Sequence, residues 1–185
     1  MKRHSALHPL SREHHQALVL ARRCERAQDE ETRAAARALW RSTMGGFLAA
    51  HFQVEERELG GLLRRAGLEP GLEERLRREH RELLDGCLLL EEPGQLERLG
   101  RLLREHVRWE ERVLFPALER FAAPGLEEAA GAIEVGTLGA ACALPPRGPA
   151  GGEPTGQGEG AQGDVSQGDG SRMDGKRRDG QQPGS

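Results

Sequence analysis

The sequence is poor in β-branched residues, pairs no cysteines at disulfide or metal spacing, and has no apolar run approaching the roughly 18 residues of a membrane span. The first absence disfavours strands. The second leaves Cys24, Cys87 and Cys142 as isolated singles, which excludes a disulfide framework and a thiolate metal site and fits a reducing compartment. With the third, and no apolar stretch of the signal-peptide kind near the N-terminus, the expectation is a soluble cytoplasmic protein with no membrane contact. Aromatic residues are scarce as well. Trp40, Phe47, Phe52, Trp109, Phe115 and Phe121 all fall in the first two thirds of the 185 residues, so the packed part is expected to end near Phe121.

The remainder has a different composition. From Ala123 to Ser185 the chain carries 16 of its 25 glycines and 6 of its 10 prolines. Such a segment buries too little apolar surface to offset chain entropy. Residues 123–185 are therefore expected to be a disordered low-complexity tail, apart from a short helical turn around Leu126 to Ile133, with residues 1–122 as the folded domain. The tail also holds most of the net charge of -3, its 9 acidic residues facing 5 basic ones. No strong positive field is left to attract nucleic acid, and the small cluster Lys176-Arg177-Arg178 reads as a solvated charge run.

Within the first 122 residues, punctuation separates four long segments rich in Leu, Ala, Arg and Glu. The first helix is predicted from near Pro9 to about Ala27 and the second from about Thr32 to Arg65. The third runs from about Leu72 to Leu90, and the fourth follows Pro93-Gly94 and ends near Phe121. Gly45-Gly46, Gly60-Gly61 and Pro116 predict kinks. Short connections imply antiparallel neighbours, so the fold class is all-α, an antiparallel up-down four-helix bundle.

Each helix carries an apolar stripe, and the same kinds of residue interrupt all four. The first reads Leu7, Leu10, His14, Leu18, Ala21. The second reads Trp40, Met44, Phe47, His51, Glu55, Leu59, Leu62; the third Leu72, Leu76, His80, Leu84, Cys87; the fourth Leu99, Leu102, His106, Glu110, Val113, Ala117. His14 is preferred to His15 because Leu10 and Leu18 flank it one turn away, where His15 has Ser11 and Val19. The halves repeat: His14 then His51-x-x-x-Glu55-Glu56-Arg57 is echoed by His80 then His106-x-x-x-Glu110-Glu111-Arg112. Burying these groups unpaired costs several kcal/mol for each ion, which a metal centre removes. A polar network of carboxylates and histidines, or rotation of these residues to solvent, is the bland alternative. Six nitrogen and oxygen donors without thiolate suit two ions and favour iron over manganese or zinc. Nearby, Glu13, Glu79 and Glu105 point about 100° from the ligands and read as surface partners for arginines. Glu58 reads as solvent-facing ahead of a supporting role, Cys87 as a thiol packed in the core, and His4 and His8 as solvated.

Across roughly residues 7 to 121 these motifs resemble the hemerythrin-like family of HHE cation-binding domains. The stretch from His106 through Glu110 to Pro116 is similar to that family's fourth-helix signature, and His51-Phe-Gln-Val-Glu55-Glu to its second. The resemblance implies that His14, His51, His80 and His106 are terminal ligands and that Glu55 and Glu110 bridge two irons, joined also by an oxo or hydroxo group. It implies a module that binds or senses dioxygen, nitric oxide or peroxide, with a peroxidase-like or nitric-oxide-consuming enzyme and an iron storage or donation protein as alternatives. The family's reversible oxygen carriers take two histidines from the third helix, one turn apart; here the second position is Leu84.

Overall fold

The structure is a computed structural model, and it describes residues 3–141. Those residues are helical apart from short connections, with no strand among them. A 3-10 turn, Ser5–Leu7, leads into α1, His8–Arg26, whose first turn holds Pro9. Helix α2, Glu30–Met44, starts at a reciprocal cap: the Thr32 amide donates to Asp29 Oδ1 at 2.8 Å, and the Asp29 amide donates to Thr32 Oγ1 at 3.3 Å. Gly45 and Gly46 break this rod as predicted, and it continues as α3, Phe47–Val54, a π-helical turn, Glu55–Leu59, and α4, Gly60–Arg65.

Gly67, at φ 63°, ends α4 with the Leu68 amide donating back to Leu63 and its own amide to Arg64. Helix α5, Pro70–Asp85, and a 3-10 turn, Gly86–Leu89, follow. The last predicted rod is α6, Gln95–Trp109, a second π-helical turn, Glu110–Leu114, and α7, Phe115–Phe121. Helices α1 and α6 pack closely, and Gly100 makes this approach feasible: a Cβ there would stand 2.8 Å from the Ala21 carbonyl oxygen.

Two expectations fail here. The chain does not lose its structure at residue 122, because Ala123–Ala141 forms a further helix, α8. Its Leu126, Ala129 and Ile133 are buried in the same cluster as Val54, Leu62 and Leu118. The short turn expected around Leu126 to Ile133 is part of this helix, which runs further than expected because the Gly and Pro content, averaged over 63 residues, outweighed the apolar stripe. Residues 142–185, with Cys142 and the Lys176 cluster, lie outside the described residues.

The second failure is one of register. Val113 is 45% exposed, whereas Leu114 and Leu118 are fully buried. From Glu110 the buried positions follow in steps of four, Leu114 and Leu118, where the sequence reading took a step of three to Val113; a helix face admits either step. The third stripe is rotated the other way, by one residue toward the N-terminus, with Leu83 fully buried and Leu84 and Cys87 only partly so.

The interior falls into two apolar clusters. One is built around Ala17, Leu20, Trp40, Met44, Leu83 and Leu103, the other around Leu10, Leu59, Leu76, Leu114 and Leu118. Along each rod that carries one of the inward histidines, that histidine lies between residues of one cluster and residues of the other: His14 between Leu10 and Ala17, His80 between Leu76 and Leu83. A polar layer thus separates two apolar slabs. No helix among the described residues is long and apolar enough to cross a membrane.

Candidate metal centre

All six predicted residues meet in that layer. Their donor atoms form two groups, His14, His51, Glu55, Glu110 and Glu55, His80, His106, Glu110, each with its atoms within 4.8 Å of one another and each fully buried. The two groups share both glutamates. Glu55 directs Oε1 to His14 Nε2 at 3.4 Å and His51 Nε2 at 3.2 Å, and Oε2 to His80 Nε2 at 3.4 Å. Glu110 directs Oε2 to His14 Nε2 at 3.0 Å, and Oε1 to His106 Nε2 at 3.2 Å and His80 Nε2 at 3.9 Å. Each carboxylate therefore divides its oxygens between the groups, as a ligand bridging two ions does. His15, by contrast, is exposed.

Both glutamates open a π turn. Gly60 donates its amide to the Glu55 carbonyl and Phe115 donates to the Glu110 carbonyl, each five residues on. Such widened turns concentrate at functional sites, because they re-aim one side chain without breaking the helix. Here they let a histidine and the glutamate four residues later point at one centre.

Close as these atoms are, His14 Nε2 and all four oxygens of Glu55 and Glu110 are buried without a hydrogen-bond partner. Leaving a buried acceptor unpaired costs about 1–3 kcal/mol, more when it is charged. Five such atoms around one point are the arrangement a cation relieves, so the residues fit a metal. The electrostatics agree. Burial works against an imidazolium at His80, yet the carboxylates of Glu110, Glu55 and Glu56 outweigh it and raise the pKa to about 10. His14 is likewise raised despite burial, by Glu110, Glu111 and Glu55. Burial alone would raise the carboxyl of Glu55, but the neighbouring histidines, His51 foremost, hold it well below the usual range. The cluster demands positive charge.

A second set of glutamates completes the site, and the sequence reading placed two of them on the surface, although the arginine partner it expected for Glu79 is there in Arg75. His51 Nδ1 meets Glu13 Oε2 at 2.7 Å and His106 Nδ1 meets Glu79 Oε2 at 2.9 Å. Neither Glu13 nor Glu79 is a surface residue; each is 7% exposed. A side chain 100° from the inward histidine meets a neighbouring helix only where one packs on that side, as it does for Glu13 and Glu79. Glu105, preceding His106, does stay exposed. Glu58 is half-buried and pairs with Arg57 at 2.6 Å.

Glu56 Oε1 takes His80 Nδ1 at 3.0 Å, and Glu111 Oε1 takes His14 Nδ1 at 2.7 Å. With a proton on Nδ1, each ring turns an Nε2 lone pair inward, the tautomer a metal ligand needs. The four bonds form a closed circuit: Glu13 of α1 supports His51, Glu56 of the next rod supports His80, Glu79 of α5 supports His106, and Glu111 of the last returns to His14. The doublets Glu55-Glu56 and Glu110-Glu111 and the pairs Glu13-His14 and Glu79-His80 were the available sequence signal. Phe52 stacks on His80 with ring centroids 4.0 Å apart, and Phe115 on His14 at 5.4 Å. No known family model, curated protein or solved structure matches this chain.

Proposed function

We propose that this centre binds two iron ions bridged by Glu55 and Glu110, within a hemerythrin-like four-helix bundle, and that the protein binds or senses dioxygen, nitric oxide or peroxide there. The observation that carries this reading is the sharing of two buried carboxylates, all four oxygens without hydrogen bonds, between two His-containing groups. Bound iron supplies a redox change and a coordination position open to an outside ligand. The chain does the remainder. Four Nδ1 contacts with glutamate fix the ring orientations, and Phe52 and Phe115 shield two of the rings. Every ligand residue is at most 2% exposed, so a diatomic molecule or peroxide is the size of partner that suits the site.

Metal analysis with the optical spectrum of the isolated protein, before and after oxygen, peroxide or nitric oxide is added, tests the reading. About two irons per chain and a spectrum that responds to one of these ligands are expected. A stoichiometry near one, or undiminished iron in helical His51→Ala and Glu110→Ala variants, rules out the two-iron centre. Sustained turnover of peroxide or nitric oxide that Glu110→Ala abolishes would make the protein an enzyme instead of a sensor.

A further inference from the structure

The two π turns create a need that an α-helix lacks. Widening a turn shifts the backbone carbonyls after the bridging glutamate out of their usual pairing. In the second turn the shortfall falls on Glu111. The Phe115 amide goes to Glu110, and Pro116, five residues after Glu111, has no N–H to give. Arg3 fills that gap. Its Nη2 donates to the Glu111 carbonyl at 2.8 Å and to Glu111 Oε2 at 2.7 Å. Its guanidinium also stands 5.1 Å from the centroid of Phe115, the ring stacked on His14.

The first turn has a matching contact from a different place. Arg77 Nη1 donates to Glu56 Oε2 at 2.7 Å, and Nη2 to the Glu56 carbonyl at 3.4 Å. Glu56 and Glu111 are the equivalent residues of the repeat, each following a bridging glutamate and each supporting a ligand histidine. The arginines are not equivalent. Arg77 stands three residues before His80, and three residues before His14 the sequence has Ser11. Ser11 Oγ does donate to Glu111 Oε1 at 2.7 Å, but it is neutral and has a single hydroxyl to give. Arg3, from before the first helix, brings the charge and the carbonyl contact.

We propose that Arg3 and Arg77 are positioning residues of the metal centre, each clamping both the carboxylate and the backbone carbonyl of the glutamate that follows a bridging ligand. Arg3 does from the N-terminal segment what Arg77 does from within α5. The inference rests on the two-metal reading. Fixing Glu111 orients His14, and fixing Glu56 orients His80, so each arginine governs a different metal. An ordinary ion pair would have no reason to reach the carbonyl, or to do so on both halves from unrelated sequence positions.

The test is anaerobic titration of iron(II) into the metal-free full-length protein, following occupancy and the Mössbauer spectrum. Wild type is compared with Arg3→Ala, Arg3→Lys, Arg77→Ala and the double variant Arg3→Ala with Ser11→Arg. Each alanine variant should keep one iron at wild-type affinity and bind the other about tenfold more weakly, the low end for losing a partner outside the ligand set. The signal altered in Arg3→Ala should be the one that His14→Ala removes, and in Arg77→Ala the one that His80→Ala removes. Ser11→Arg should restore the lost affinity, and Arg3→Lys, with charge but no fork, should fall between. Unchanged affinities and spectra in both alanine variants, or equal weakening of both irons, would overturn the clamp while a wild type holding two irons leaves the metal reading intact. A wild type that binds no iron removes both.

Discussion

In the His80–His106 half of the centre, both supporting glutamates are held by arginines of α5: Arg75 donates to Glu79 at 2.7 Å and Arg77 to Glu56 at 2.7 Å. In the His14–His51 half, Glu111 is held by Arg3 and Ser11, while Glu13 lies buried against His51. Inward, the halves match in donor type, each with two imidazoles and an oxygen from each shared carboxylate, though only His80 Nε2 and His106 Nε2 approach each other to 3.0 Å. Outward, they differ in which residues do the holding and where these come from. Ligands are constrained by the geometry around an ion, whereas a supporting carboxylate needs only some cation nearby, and the chain can supply that from any packed element.

The sharpest way to break this symmetry is through what the halves share. Glu55→Ala or Glu110→Ala should abolish binding of both irons, whereas His14→Ala or His106→Ala should leave about one per chain, as read by metal analysis of folded protein. One iron retained in Glu110→Ala would mean that the carboxylates do not bridge. Helix α8 supplies the next largest effect, because its stripe buries Leu126 and Ile133 against Val54 and Leu62, on the rod that bears His51. Leu126→Ala should cost about 2–5 kcal/mol of unfolding free energy, and ending the chain after Ala122 should cost more. A truncated chain that melts like the full one would show that α8 contributes nothing to the core.

Glu13→Gln and Glu79→Gln compare the halves more finely, since these buried residues support His51 and His106. Each should weaken one iron by about 10- to 100-fold. If both variants perturb the same iron, the pairing of supports with halves is wrong. On oxygen, Leu84 leaves the third helix with one histidine, so air admitted to the reduced, iron-loaded protein should oxidise it. Repeated full recovery of the reduced spectrum under vacuum, without reductant, would restore oxygen carriage as the function.

The smallest effect concerns pH in the metal-free protein. His80 is raised from 6.5 to about 10, its carboxylate neighbours outweighing burial, so its contribution is complete below about pH 6.5 and is lost as pH climbs toward 10. Glu111 is lowered from 4.5 to about 2, where hydrogen bonds from His14 and Ser11 outweigh burial, so its contribution is present above about pH 4.5 and lost as pH falls toward 2. With a chelator present, the melting temperature should peak between these limits, and iron should remove the alkaline decline by taking the place of the bound protons. A flat alkaline limb without metal would contradict this.

Much of the centre was legible because buried polar residues stand out on an apolar stripe: His14, His51, Glu55, His80, His106 and Glu110 were each read from their spacing. Glu13 and Glu79 were misplaced because a single helical wheel has no neighbour. The angle that seemed to aim them at solvent aims them at the next rod. Val113 was placed inside and Leu114 overlooked because an apolar stripe admits steps of three or four, and both neighbours are apolar, so spacing from Glu110 fits either. Helix α8 was foreseen only as a short turn around Leu126 to Ile133, because the glycine and proline content averaged over sixty-three residues outweighed the stripe of Leu126, Ala129 and Ile133.

The closed circuit of glutamates also sets an order of assembly. A chain made from its N-terminus presents His14 early, yet the carboxylate that orients this ring belongs to Glu111, nearly a hundred residues later. Until that residue arrives, the first histidine has no fixed tautomer, and the metal group it belongs to lacks Glu110 as well. On the two-iron reading proposed above, iron met during synthesis would find no finished cradle, and loading would follow completion of the fold.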